Sequence, residues 1–321
     1  MKVLNTELKK LVDVIEWVTD GEYTSGDGFK LFDDAGQIYE LQLAKMEYAA
    51  LREDLNELRK RTAYFERVKG KESFHCYIAS VKGKGQIGTS NQYMTHWFYP
   101  YKGKFHGQMV KAIANFMVGT GQGKILDPFL GSGTTTLETS LLEIEGYGVE
   151  LNPALAWVAY VKSQMLKVDY EDLFKKINKA DPLKILDYFL KARPRELLVF
   201  PLNTPADEVS RIIWEERFGD FPFSDFPDDY KNFLLLAFLH ALSDYTYLKN
   251  TSKAKTLQEF FVQDLGEYLF TVRETRRVLK LLGLNPKAPR IVVGDARALP
   301  FENETFDGII TSPPYRIEID Y

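Results

Sequence analysis

Residues 124–136 read KILDPFLGSGTTT, and residues 146–150 read GYGVE. In the first stretch a short apolar run ends at Asp127. It gives way to two glycines two positions apart, Gly131 and Gly133, ahead of a helix-like LETSLLE. Glycines in that spacing let the backbone turn sharply and approach a ligand closely, and the amino end of the following helix offers unpaired N–H donors. Such a unit cradles a nucleotide-like ligand. No lysine follows Gly133, so the loop is not a Walker loop, and Thr136 stands where a dinucleotide fingerprint has its third glycine. Glu150 lies 17 residues beyond Gly133, at the tip of the second strand-like run. A carboxylate there can accept from both hydroxyls of a ribose. At this point a nicotinamide cofactor and S-adenosylmethionine fit equally.

Two more strand-like runs lie near the end of the chain, IVVGDA at 291–296 and FDGIITS at 306–312. Short apolar runs alternating with helical patterns predict an α/β fold with a parallel sheet. Between the two pairs of strands, four segments carry apolar residues at helical spacing, namely 173–198, 207–218, 230–245 and 257–282. The predicted organisation is therefore an N-terminal helical and basic region, 1–90, a ligand-binding sheet domain made of 91–168 and 289–321, and a large helical insertion, 169–288.

The run IIT leads into Ser312, Pro313, Pro314 and Tyr315. Two prolines straight after a central strand are costly unless a rigid corner is wanted. The Ser312 hydroxyl and the Pro313 carbonyl can both accept from one amino group while the Tyr315 ring offers a stacking face, a combination suited to an exocyclic NH2 on a planar base. This corner decides between the two cofactors in favour of a methyl donor.

With those residues in view, DPFLGSGTT, GVELNP, GDARALPF and TSPPY resemble the successive motifs of amino-group DNA methyltransferases that use S-adenosylmethionine. HWFYPYKGKFHGQMVKAI, residues 96–113, is similar to the family's segment ahead of the glycine loop. The resemblance covers 96–168 and 289–321. It implies a Rossmann-like methyltransferase sheet, incomplete here at about four strands, and a cytosine-N(4) target, because the SPPY form is typical of that subgroup. It further implies that Lys104 and Phe105 flank the methionine part of the cofactor, with Asp127, Phe129, Gly131, Ser132 and Gly133 around its carboxylate and amino ends. Glu150 would hold the ribose, and Asp295, followed by Ala296, would accept from the adenine amino group. Ser312, Pro313, Pro314 and Tyr315 would form the catalytic turn, acting on a base swung out of duplex DNA. Members of the family carry further strands after this turn. The expectation is therefore a truncated chain or one completed by a second polypeptide, with weak or absent methylation alone.

Composition bounds the rest. The 321 residues are 45% hydrophobic and 27% charged, with a formal net charge of −4, so any contact with nucleic acid must use a local basic patch. One candidate is 59–84, where Arg59, Lys60, Arg61, Arg67, Lys69, Lys71, Lys82 and Lys84 face only Glu66 and Glu72, with Tyr64, Phe65 and Tyr77 interleaved. Its bland alternative is a solvated helix end. Upstream, Leu4, Leu8, Leu11, Val12 and Ile15 form one helical stripe. A second helix from Ile38 keeps a heptad seam through Leu41, Ala44, Tyr48, Leu51, Leu55, Leu58, Thr62 and Phe65. That seam fits either a homodimer through 38–66 or a helix packed on its own domain.

No apolar run reaches membrane-spanning length and no signal peptide is visible, which makes the default location cytoplasmic. The single cysteine, Cys76, follows His75 rather than the proline of carbon-5 cytosine methyltransferases, and the four histidines show no zinc spacing, so no metal is expected. Three alternatives stay open: adenine-N(6) as the target, methylation of an RNA base amino group, and a cofactor-binding subunit without catalysis. A nicotinamide oxidoreductase ranks last, for want of a visible hydride-transfer acid or base.

Overall fold

The computed structural model describes residues 122–192, 198–219, 221–251 and 253–312 without interruption. Further toward the N-terminus it describes 92–101, 103–118, 71–81, 65–68, 60–63, 50–51, 46–47, 43–44 and 23–25. Three short strands, β1 (Tyr23–Ser25), β2 (Phe65–Val68) and β3 (Lys71–Glu72), pair antiparallel and lead into helix α1 (Phe74–Ser80). A 3-10 turn (Met94–Trp97) and α2 (Gly107–Val118) precede the glycine-loop unit, formed by β4 (Lys124–Asp127), α3 (Thr134–Leu141), β5 (Glu145–Glu150) and α4 (Pro153–Gln164).

The insertion contributes α5 (Tyr170–Ala180), α6 (Pro182–Lys191), β6 (Thr204–Pro205), α7 (Ala206–Ile212) with a π turn after it, α8 (Asp228–Leu248) and α9 (Leu257–Leu282). β7 (Arg290–Val293) and β8 (Gly308–Ile309) return the chain to the sheet.

The sheet runs β6-β7-β5-β4-β8, with β7, β5, β4 and β8 parallel and β6 antiparallel to β7. The four strands expected from sequence are these parallel ones. The fifth comes from inside the segment read as all helix, because two residues, Thr204 and Pro205, carry no periodicity to read. The segment expected as one helix over 173–198 is two, since Asp181 adopts φ 67° and caps α6 through Leu183 N–H, with Pro182 at its first turn. The fold is α/β and compatible with a Rossmann-like methyltransferase sheet.

Side-chain size sets how closely helices approach the sheet. On β5, Tyr147 and Val149 pack with Leu126 on one face, while Gly146 and Gly148 turn to the other. A Cβ on Gly146 would lie 2.2 Å from Thr139 Oγ1, so α3 sits directly on the strand. Ile125 and Ile310 join α1, α2 and α3 in one apolar cluster. A second cluster unites α4 with Ile291 and Val293 of β7 and with the insertion's Phe189, Trp214, Phe233, Phe261 and Tyr268. The insertion and the sheet thus share a core.

Of the heptad seam, Ala44, Leu51 and Thr62 are among the described residues and are buried, and Ala44 packs with Ala63 and Ala112 of α2 in the same chain. Of the basic stretch, Lys60 is exposed and Arg61 is buried, so Arg61 does not contribute to an exposed cationic surface. The N-terminal stripe of Leu4, Leu8, Leu11, Val12 and Ile15 lies outside the described residues. No helix among the described residues is long and apolar enough to cross a membrane.

Candidate active site

Chain order reverses beside β4, with β5 added on one side and β8 on the other. In open α/β sheets the crevice beyond the carboxyl ends of the strands at such a switch point is where ligands bind. A cavity of about 580 Å³ lies there. Lys104, Phe105, Asp127, Phe129, Gly131, Ser132, Glu150, Asp295 and Ala296 line it, and Ser312 lines it from the end of β8. Five separate stretches of sequence therefore meet around one space. Gly133 does not line it. A Cβ on Gly133 would stand 2.6 Å from Ala159 Cβ, so this glycine serves the contact between the loop and α4. Pro313, Pro314 and Tyr315 lie outside the described residues.

Asp127 organises the crevice. Its Oδ1 accepts from Phe129 N–H at 3.1 Å and from Thr311 Oγ1 at 2.8 Å, and its Oδ2 accepts from Thr135 Oγ1 at 2.6 Å. One buried carboxylate thus ties the end of β4 to the loop, to the start of α3 and to the end of β8. Burial pushes its pKa up, and these hydrogen bonds oppose the shift. Above it, Gly131 adopts φ 55° under the Tyr101 ring.

Glu150 Oε2 accepts from Gly131 N–H at 2.7 Å and Oε1 from Asn152 N–H at 2.9 Å. A carboxylate has about four lone-pair sites, so two remain for ligand hydroxyls. Asn152 also caps α4, accepting from Ala154 N–H at 2.9 Å ahead of Pro153, which fixes the turn beyond Glu150. Asp295 accepts from the Arg297 backbone N–H at 2.9 Å and pairs with its guanidinium, which holds the carboxyl down at about 2.

The structure adds residues that motif reading missed. Lys104 Nζ donates to the His96 carbonyl at 2.6 Å, and burial lowers its pKa to about 8. Lys162 of α4, 2% exposed, donates to the same carbonyl at 3.4 Å and to the Ser132 carbonyl at 3.3 Å. The His96 ring contacts buried Glu138 Oε1 at 2.7 Å, and that carboxylate also accepts from Tyr93 and faces Lys111 at 3.9 Å. A lysine on the apolar face of α4 was the one signal available for Lys162. Arg297 and Tyr101 also reach the cavity wall.

Away from the cavity, His240, Asp244 and Asp264 each place a ligand atom within 4.8 Å of the others, and Tyr268 Oη contacts His240 Nδ1 at 3.0 Å. This grouping has the make-up of a metal site, which spacing among histidines and cysteines could not disclose.

The fold is compatible with a Rossmann-like α/β protein with its crevice at the switch in strand order, and comparison with known sequences gives it relatives. Over 295 residues the chain is 26% identical to the Type II methyltransferase M.BsoBI of Geobacillus stearothermophilus, covering 80% of this chain and 55% of that protein. It is 23% identical over 269 residues to the Type II methyltransferase M.MvaI of Kocuria varians, covering 72% of this chain and 55% of the relative. An 80-residue segment is 38% identical to the Type II methyltransferase M.MjaII of Methanocaldococcus jannaschii, covering 25% of this chain and 14% of that one. The chain spans about half the length of the first two of these relatives. No family model matches, and no solved structure does. The chain is similar to Type II methyltransferases over most of its described fold.

Proposed function

We propose that the chain binds S-adenosylmethionine in the crevice between β4 and β8 and belongs to a DNA methyltransferase of a restriction-modification system. Its target is an exocyclic amino group, cytosine N(4) ahead of adenine N(6). One observation carries the reading: nine residues assigned to the cofactor from motifs line a single cavity with Ser312. The fit is chemical as well as spatial. The volume suits a small-molecule cofactor. The lysine end suits a carboxylate, Glu150 keeps acceptor sites for ribose hydroxyls, and Asp295, at the cavity wall, would accept from an adenine amino group while sharing its carboxylate with Arg297.

The cofactor supplies an electrophilic methyl on a sulfonium. The chain's own residues supply positioning and electrostatics. An amine conjugated with a base ring is a poor nucleophile because its lone pair is delocalised. Ser312 Oγ, together with the Pro313 carbonyl, would accept its two N–H groups and draw the nitrogen toward a tetrahedral shape, while Tyr315 stacks on the swung-out base. The Thr311–Asp127 hydrogen bond fixes the strand end from which Ser312 acts.

Incubation with methyl-labelled cofactor, duplex DNA and tRNA, followed by mass spectrometry of the nucleosides, tests the reading. N4-methylcytosine in DNA is expected, weakly or not at all from this chain alone and plainly once further strands are supplied, where Ser312→Ala should cut transfer about 100-fold. N6-methyladenine in DNA would move the target to adenine, and label in tRNA alone would overturn the DNA assignment. The free edge of β8 in the described sheet would take further strands, supplied by a longer chain or by a second polypeptide. Transfer that rises when a complementary chain is added would support that, whereas cofactor binding without transfer in its presence would identify a non-catalytic subunit.

A further inference from the structure

Lys162 and Lys104 approach one backbone oxygen from two sides. Lys104 comes from the segment before α2 and Lys162 from α4, and both Nζ atoms donate to the His96 carbonyl, at 2.6 Å and 3.4 Å. The two nitrogens are therefore within about 6 Å of each other, near enough for each charge to oppose the other. Lys162 also holds the Ser132 carbonyl, on the underside of the glycine loop.

Among the described residues neither lysine has a carboxylate at ion-pair distance, and the buried acids of the region are engaged elsewhere. Glu138 is taken by His96, Tyr93 and Lys111, and Asp127 by Thr135, Thr311 and Phe129 N–H. A buried ammonium without a counterion is costly, and two such groups facing one another are more so. Burial lowers the pKa of the His96 ring, and its contact with Glu138 opposes that shift.

We infer that Lys104, which lines the cavity, seats the anionic end of the ligand, that Lys162, buried behind it and outside the cavity lining, is its positioning residue, and that entry of a carboxylate draws one proton from solvent onto the pair. The identity of the ligand rests on the function proposed above. No covalent bond changes: a neutral amine becomes an ammonium, and the proton comes from the buffer. Burial, with Lys104 as a second cause, lowers the pKa of Lys162 well below the ordinary lysine range.

Calorimetric titration with S-adenosylhomocysteine at pH 8, in two buffers of different ionisation enthalpy, tests this. The expected result is uptake of roughly half to one proton per ligand bound. 5′-Methylthioadenosine, which lacks the carboxylate, should show none. Lys162→Met should lose most of the uptake and bind about tenfold more weakly, as expected when one member of a buried charge cluster is removed. The comparison of the two ligands on the wild-type chain does not depend on that variant folding. Homocysteine-ligand binding with no buffer dependence, or equal uptake with both ligands, overturns the inference and leaves the proposed function standing. Absence of any binding overturns both.

Discussion

Gly133 adopts φ 89°, and its missing side chain is what lets the glycine loop meet Ala159. Gly283, at φ 65°, closes α9 with nothing within 4 Å of a Cβ built there. The two therefore separate steric packing from backbone conformation. Gly283→Ala should cost about 1–2 kcal/mol, the left-handed penalty alone. Gly133→Ala adds an overpacking cost of about 1–3 kcal/mol. Urea unfolding of both variants checks the order, and equal losses would mean that the contact with Ala159 does not matter. The need for glycine here was legible in the spacing of Gly131 and Gly133. Its cause was not, because motif reading assigned Gly133 to the ligand and the packing partner lies 26 residues further along the chain. Lys162 was equally hidden, since its role depends on carbonyls of His96 and Ser132 that only tertiary folding brings to it.

Asp295 offers a titration at the same scale. The Arg297 fork holds its carboxyl at about 2, below the ordinary 3.8, so what the pair contributes is present above pH 4 and lost as pH falls toward 2. Arg297→Ala should return the Asp295 carboxyl to the ordinary range, followed by its carbon chemical shift. An unchanged titration would show that the guanidinium is not its partner in solution.

Among elements, α9 is the case where sequence and structure coincide, at Leu257–Leu282, because its ends carry local signals. Thr256 and Glu259 form a capping box, and Gly283 takes the left-handed position beyond the last turn. β7, β5, β4 and β8 were legible for a similar reason, as short apolar runs bounded by turn residues. β6 and the break at Asp181 were not, since neither spans enough residues to show a period.

The contact between the N-terminal region and α2 was unreadable too, and its chemistry is testable. Glu47 is fully buried, accepting from Ala63 N–H at 2.8 Å and from Asn115 Nδ2 at 2.5 Å, while its Oε2 has no hydrogen-bond partner among the described residues. Burial raises its pKa from 4.5 to about 7. A carboxyl whose folded pKa is raised binds a proton on folding. Stability should therefore fall as pH rises from about 4.5 to 7, by on the order of 3 kcal/mol at most. Glu47→Gln should remove that slope in a comparison of unfolding at pH 5 and pH 7.5, and a slope retained by the variant would refute the assignment.

At the scale of the whole molecule, the insertion's Phe233, Phe261 and Tyr268 share a cluster with α4 and β7. Helices α8 and α9 should therefore unfold together with the sheet. Hydrogen exchange of β5 and α9 under increasing denaturant should converge on one opening free energy, and an α9 that opens separately would make the insertion an independent unit. The cavity is built where β4, β5, β7 and β8 end, so a ligand filling it should tighten that shared core. At a hundredfold excess over its dissociation constant it would add about 2.7 kcal/mol, visible as a raised melting temperature. Most of the cavity wall was legible because the resemblance to methyltransferase motifs falls on its strand ends. The lysine pair, the Asp127 cross-tie and Arg297 were not, because each joins segments that are separate in sequence or lies outside the motifs.

The most direct test is a crystal structure with S-adenosylhomocysteine. The account predicts one molecule in the crevice, its ribose on Glu150, its adenine amino group on Asp295, its carboxylate at Lys104 and its sulfur facing Ser312. A ligand bound elsewhere, or one seated on Glu150 with its sulfur turned away from Ser312, would contradict it.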